Sequence, residues 1–244
     1  MFEAYWPPTE LSAAHAREPR LDLLMIVTID GPAGSGKSSA ARGLAKRLGF
    51  RFLDTGAMYR AVTLAGLRRG IDWEDEIALA LIAAAIELRL TDDRVFLDGE
   101  DVTTETRTFE ITTLTRHAAD NRQVRMLLVE LQREMAAGQD TVTEGRDQAT
   151  VAFPAAECKI YLTASEEVRA ERRFQDLVAR GENVTREEVL EKQQLRDKRD
   201  LEREFGGLRK APDSLVLDTD GMSPVEVIER LEQIVRSRQN TSPT

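Results

Sequence analysis

The sequence predicts an α/β fold built on a five-stranded parallel sheet, and three observations carry the prediction. From Met25 onward, short apolar runs alternate with longer stretches of helical character, the pattern of parallel strands joined by crossover helices. A glycine-rich run ending in Lys37-Ser38 separates the first apolar run from the first helical stretch. Two later helical stretches open on capping boxes, Thr185 with Glu188 and Ser223 with Glu226, the latter with Pro224 at the first helical position.

Taken in order, the strands are MIVTID at 25–30, FRFLD at 50–54, DTVTE at 140–144, CKIYLT at 158–163 and SLVLDT at 214–219. Helices are expected over 37–48, 55–69, about 73–87, 107–137 with a break near Asn121, 165–179, 185–204 and 223–236. Thr55 is placed to cap the second of these. Between them, LRLTDDRVFLDGEDV at 88–102 reads as two or three small antiparallel strands turned at Asp92-Asp93 and Asp98-Gly99, an insert outside the main sheet. Residues 1–24 carry three prolines and no sustained periodicity, and read as a disordered leader or a start assigned too early. Residues 238–244 read as a polar tail.

With 244 residues and 41% hydrophobic content, the chain can bury one proper core. Lys and Arg number 34 against 43 Asp and Glu, a net charge of -9, which argues against general attraction to nucleic-acid or membrane phosphates. Any phosphate must be held by a local site. The lone Cys158 cannot form an intrachain disulfide, which fits a reducing, cytoplasmic setting. No apolar run approaches the roughly 20 residues of a membrane helix, and no targeting segment is read.

Gly31-Pro32-Ala33-Gly34-Ser35-Gly36-Lys37-Ser38 fits G-x-x-x-x-G-K-S between a strand and a helix. Such a loop aims backbone amides at phosphates, and the helix that follows adds the positive end of its dipole. With Ser39 it forms the expected ATP site: Lys37 would reach the β and γ phosphates, and the Ser38 hydroxyl would help hold Mg²⁺. A P-loop alone specifies only nucleoside triphosphate binding. No Asn-Lys-x-Asp element of a GTPase occurs, and Asp218-Thr219-Asp220-Gly221, on the last strand, reads as a turn.

The acceptor side is more specific. IDGPAGSGKSS at 29–39, FLDTGAMYRAV at 52–62, EGRD at 144–147 and LRDKRDLER at 195–203 together resemble the bacterial cytidylate kinases, over about residues 25–237. The resemblance implies a P-loop core (25–72, 138–164, 205–237), an acceptor-binding insert (about 73–137) and a helical lid (about 165–204). It implies that Thr55, Tyr59 and Arg60 border the acceptor phosphate, that Arg146 meets that phosphate, and that Asp147 and Arg125 read the cytosine. An Asp accepts from the exocyclic amine of cytosine, where uracil offers an opposing oxygen, so the chemistry favours CMP. Arg196, Asp200 and Arg203 lie at i, i+4 and i+7, on one face of a helix. In the family the first two contact the acceptor, largely its ribose, and the third joins the phosphate site; for Arg203 a solvated charge face is an equal reading from the residues alone. Arg169, Arg172 and Arg173 match the family's lid pattern, and Arg172 and Arg173 are expected to close over the migrating phosphate.

Two departures bear on base recognition. The family commonly has a serine nine residues before the arginine matched to Arg125, where this chain has Arg116 beside Thr115. After Arg146-Asp147 the family continues with an apolar residue and Gly, where Gln148-Ala149 stands here.

The expected reaction is therefore ATP plus CMP, or dCMP, giving ADP plus CDP or dCDP, by a monomer that binds neither nucleic acid nor membrane. In-line alignment and neutralisation by Lys37, Mg²⁺, Arg60, Arg146 and the lid arginines would supply the catalysis. The alternatives are a kinase for UMP, dTMP or AMP, or a P-loop NTPase switch with no monophosphate acceptor.

Overall fold

Strands and helices alternate in the computed structural model, which describes residues 24–179 and 181–240. The leader expected over 1–24 lies, except for Leu24, outside the described residues, as does the end of the tail from 241. The main sheet comprises β1 (Ile26–Asp30), β2 (Arg51–Asp54), β6 (Thr141–Gly145), β7 (Cys158–Thr163) and β8 (Leu215–Asp218), in the order β2-β6-β1-β7-β8. Every pairing is parallel, and Val27 lies beside both Val142 and Cys158. The small antiparallel sheet is β3 (Leu88–Leu90), β4 (Val95–Leu97) and β5 (Glu100–Asp101), with the expected turns.

The helices are α1 (Lys37–Leu48), α2 (Thr55–Arg68), α3 (Glu76–Ala85), α4 (Phe109–Asp120), α5 (Arg122–Ala136), α6 (Glu166–Ala179), α7 (Arg186–Glu202) and α8 (Pro224–Gln239). Side-chain caps set most of their starts. Asp54, not Thr55, caps α2 by accepting the Ala57 amide at 2.9 Å. Thr55 is already helical, and its hydroxyl donates to the Glu144 carbonyl at 2.6 Å. Asp75 starts α3 three residues later than Trp73 by capping Ala78. The break at Asn121 separates α4 from α5, where the Asn121 side chain accepts from Val124 and donates to the Glu76 carbonyl. Both capping boxes form. α8 runs to Gln239, taking in the first two residues of the expected tail, with Arg236 and Arg238 in its last turn where the helix dipole favours cations.

Strand alternation divides the core in two. Val27, Ile29, Phe52, Val142, Ile160 and Leu162 point to one face and pack on Ala41, Leu44, Leu231 and Val235 of α1 and α8. Leu53, from the other face of β2, joins α2, α3, α4, α5 and the small sheet. Burying an Ile or Leu side chain here stabilises by about 1.5–3 kcal/mol each. The outer edge of β2 is covered by the insert, where Asp92 accepts the Phe52 amide at 3.1 Å and shields a pairing-competent strand. This topology brings the C-terminal ends of β1, β2 and β6 together, the place where open α/β sheets bind ligands.

Candidate active site

The loop between β1 and α1 can turn only because of its glycines. Gly31 has φ 154, and a Cβ there would fall well inside 3.0 Å of the Leu162 carbonyl oxygen. Lys37 is buried and folds back, Nζ donating to the Pro32 carbonyl at 2.6 Å and approaching Ser35 Oγ at 3.5 Å. Burial first, and then the Arg146 charge, push its ammonium down to about 7, against the opposing pull of Glu144 and Asp30. Ser38 Oγ donates to Glu144 Oε1 at 2.9 Å.

Glu144 is a residue that motif reading passed over. It lies on β6, the strand beside β1, two positions after Val142 and so on the same face as α1 and the loop. An acid at the end of the strand next to the loop-bearing strand is the position from which P-loop proteins hold Mg²⁺. The signal was present in the sequence, but only the strand order gives it meaning.

Beyond β2 and β6 the arginines gather. Arg125 of α5, only 3% exposed, pairs with Asp147, donates to the carbonyls of Ala119 and Gly206 at 3.0 Å each, and sits 5.2 Å from the Tyr59 ring centre. Burial pushes the Tyr59 hydroxyl up, keeping it protonated. Gly206 was also missed. At φ 70, it leaves a space that a Cβ would fill against both Arg125 and Asp147.

Arg146 Nε donates to Asp200 Oδ2 at 2.8 Å, and Arg203 joins Asp200 Oδ1 at 3.0 Å and Asp120 at 2.7 Å. Asp200 and Arg203 thus meet as the spacing expected, although Arg203 is the residue that ends α7 rather than one within it. Arg196, one turn before Asp200, stays exposed and adds positive charge toward Lys37. Arg60 reaches Asp54 at 3.4 Å. Two guanidinium donors in the cluster, Arg60 Nε and Arg125 Nε, are buried with no partner among the described residues.

The lid arginines divide. Arg169 bridges the Ala33 carbonyl of the loop at 2.9 Å and Asp197 of α7 at 2.6 Å. Arg172 is instead committed to Thr219, through hydroxyl and carbonyl, and so is not brought to the loop. Arg173 is half-buried and contributes positive charge toward Arg196. Arg116 turns away to His117 Nε2 at 3.2 Å, beside the Trp73 ring.

A P-loop facing a cluster of arginines and carboxylates across parallel strand ends is the arrangement of a small-molecule phosphotransferase. The cytidylate kinase family model matches residues 27–237. Cytidylate kinase of Rhodopirellula baltica is 51% identical over 212 residues, covering 87% of this chain and 93% of that protein. That of Mycobacterium avium is 47% identical over 223 residues, covering 89% and 98%. The chain belongs to the cytidylate kinase family, and its activity is that family's ATP-dependent phosphorylation of CMP. Neither the hydrolytic switch nor another acceptor finds support in these relatives.

Proposed function

We propose that ATP lies on residues 31–39 and that CMP lies among Thr55, Tyr59, Arg60, Arg125, Arg146, Asp147, Arg196, Asp200 and Arg203. The observation that carries this reading is the pair of buried, unpartnered guanidinium donors on Arg60 and Arg125, both in the cluster that faces the loop. A buried donor without a partner costs about 1–3 kcal/mol, and a ligand oxygen or base acceptor would offset it. Arg60 and Arg146 bind the CMP phosphate, Asp147 and Arg125 meet the cytosine edge, and Arg196 and Asp200 take the ribose. Thr55 borders the site without offering its proton, which the Glu144 carbonyl holds.

A CMP phosphate oxygen attacks the γ-phosphorus of ATP: the new O–P bond forms as the bond to the β-phosphate oxygen breaks, and ADP leaves. No general base is needed, because the second pKa of a phosphate monoester is near about 6. Lys37 follows the γ-phosphate and gives up its Pro32 bond. The lid arginines Arg172 and Arg173 neutralise charge as α6 and α7 close, with Arg172 exchanging its Thr219 bonds, and closure excludes water.

Ser38 and Glu144 present hard oxygens beside the loop, a donor set that fits Mg²⁺, and among the described residues no richer acidic cluster competes. When bound, Mg²⁺ supplies charge neutralisation at the phosphates. Glu144 holds the Ser38 hydroxyl in place for it.

dCMP is taken as a second acceptor by family analogy. The same reading has the enzyme act as a monomer in the cytoplasm. Its single cysteine, Cys158, is buried, and no described helix is long and apolar enough to cross a membrane. A coupled ADP-release assay with CMP, dCMP, UMP, dTMP and AMP tests the acceptor assignment. CMP should lead, and UMP turnover equal to CMP would sink the role given to Asp147.

A further inference from the structure

Apart from Glu144 at the end of β6, strands β1 and β6 are apolar on the α1 face, and they are polar on the other. Thr28 and Asp30 of β1 and Thr143 of β6 all point away from the α1 core and are all buried. A π-helical turn, Gln148–Ala152, covers them from the chain side that follows Asp147, with Gln132 of α5 behind it. A buried polar surface of this kind is tolerated only where its groups find partners.

Asp30 uses both carboxylate oxygens on that turn. Oδ1 accepts the Gln148 amide at 2.9 Å and Oδ2 the Ala149 amide at 2.7 Å. Burial raises this carboxyl to about 7, and Lys37 and Asp147 are the charged groups that face it, with opposite effects. Gln148 is 1% exposed. Its side-chain oxygen accepts from the Thr143 hydroxyl at 2.8 Å, and its side-chain nitrogen donates to Gln132 Oε1 at 3.2 Å. Gly145 leaves the room for it, since a Cβ there would lie 2.8 Å from Gln148 Cγ. The Asp147 carbonyl in turn accepts the Val151 amide at 2.8 Å, so the orientation of Asp147 follows that of the turn.

We propose that Asp30 and Gln148 form a buried positioning clamp that fixes the turn after Arg146-Asp147 and so aims the acceptor-reading carboxylate relative to the P-loop. Neither residue belongs to the ATP or CMP contacts proposed above. Asp30 immediately precedes Gly31, which makes it the link between the strand that launches the phosphate loop and the turn that orients the acceptor site. A glycine after Arg146-Asp147 would give the turn backbone freedom; here Gln148 and Ala149 stand there, and a carboxylate and an amide side chain hold it in place instead. The inference rests on the reading of Asp147 as a base contact.

Asp30→Asn keeps the shape but sets an NH₂ against one of the two backbone N–H groups. Gln148→Met keeps volume but removes both side-chain bonds. Dissociation constants for CMP and for a non-hydrolysable ATP analogue, measured separately by calorimetry on the full chain with thermal melts alongside, test the clamp. CMP affinity should fall roughly tenfold or more in Asp30→Asn and roughly threefold or more in Gln148→Met, with analogue affinity within about twofold in each. CMP affinity unchanged in the folded variants, or falling in step with that for the analogue, overturns the clamp. Should Asp30→Asn not fold, the split in Gln148→Met decides alone. A wild-type protein that binds UMP as well as CMP would instead refute the Asp147 reading, a result separate from the comparison between variants.

Discussion

Gly206→Ala is expected to damage CMP use while sparing ATP. The new methyl group lies well inside 3.0 Å of Arg125 Nη2, Arg125 Nε and Asp147 Oδ2, where ordinary contact begins at 3.4 Å. The Arg125–Asp147 pair must therefore withdraw by roughly 1 Å, more than hydrogen-bond geometry tolerates. Breaking a charge-assisted hydrogen bond to the base costs about 1.5–3 kcal/mol, on the order of 10- to 150-fold in acceptor affinity. The backbone, at φ 70, adds about 1–2 kcal/mol of left-handed strain to any L-residue. Gly138→Ala separates the two effects, since Gly138 has φ 77 but nothing within 4 Å of its Cβ position. The assay is steady-state kinetics with each substrate varied at saturation of the other, together with thermal melts. Both variants should lose stability, and only Gly206→Ala should raise the CMP KM by about tenfold or more, with the ATP KM within about twofold. Equal CMP KM values in the two variants would refute the assignment of Arg125 and Asp147 to the acceptor.

Lys37→Ala should lower kcat by about a thousandfold or more in the coupled assay with the melt little changed, because the charge it supplies is needed at the transferring phosphate. Asp200→Ala releases both Arg146 and Arg203 and should raise the CMP KM by roughly tenfold, with a smaller effect on ATP. For Lys37 the sign of the pH effect follows from its depressed value of about 7. Bound triphosphate favours the charged ammonium, so ATP binding takes up a proton above pH 7, and affinity is flat below about 7 and declines as pH rises above it. Calorimetry at pH 8 in buffers of different ionisation heat should show net uptake, absent in Lys37→Met. Stripping divalent cations with EDTA should abolish turnover, and Mg²⁺ should restore it.

Features whose cause is local were legible in the sequence. The capping boxes at Thr185 and Ser223 and the P-loop are all read from residues within a few positions of one another, and all are present. Competition between neighbouring caps was harder: Asp54 displaced Thr55, and Asp75 shortened α3, because an adjacent acid accepts the same free amides. Of Arg196, Asp200 and Arg203, read at i, i+4 and i+7, the last two meet in one ion pair, while Arg196 stays exposed. Glu144, Asp30 and Gly206 were not legible as site residues. Their roles depend on which strands are neighbours and on contacts far apart in sequence, such as Asp30 with Gln148 or Gly206 with Arg125. The bonds of Arg172 to Thr219 were equally out of reach, because they join α6 to the far end of β8.

The pairing of charges across the site reconciles a chain of net charge -9 with two phosphate-binding sites. Four of the five acceptor-side arginines are paired with acids: Arg60 with Asp54, Arg125 with Asp147, Arg146 with Asp200, and Arg203 with Asp120 and the same Asp200, while Arg196 is exposed. Without those acids, the repulsion from Arg146 that adds to burial in depressing Lys37 would spread through the cluster of like charges. With them, a bare anion gains less at Arg60, Arg125, Arg146 and Arg203, because these guanidiniums are already compensated. A ligand gains fully only if it supplies oxygens to the unpartnered donors of Arg60 and Arg125 and also gives Asp147 a donor to accept. In the proposed site a cytosine nucleoside monophosphate would do both. On the proposed reading, selectivity arises from the carboxylates that restrain the arginines as much as from the arginines themselves.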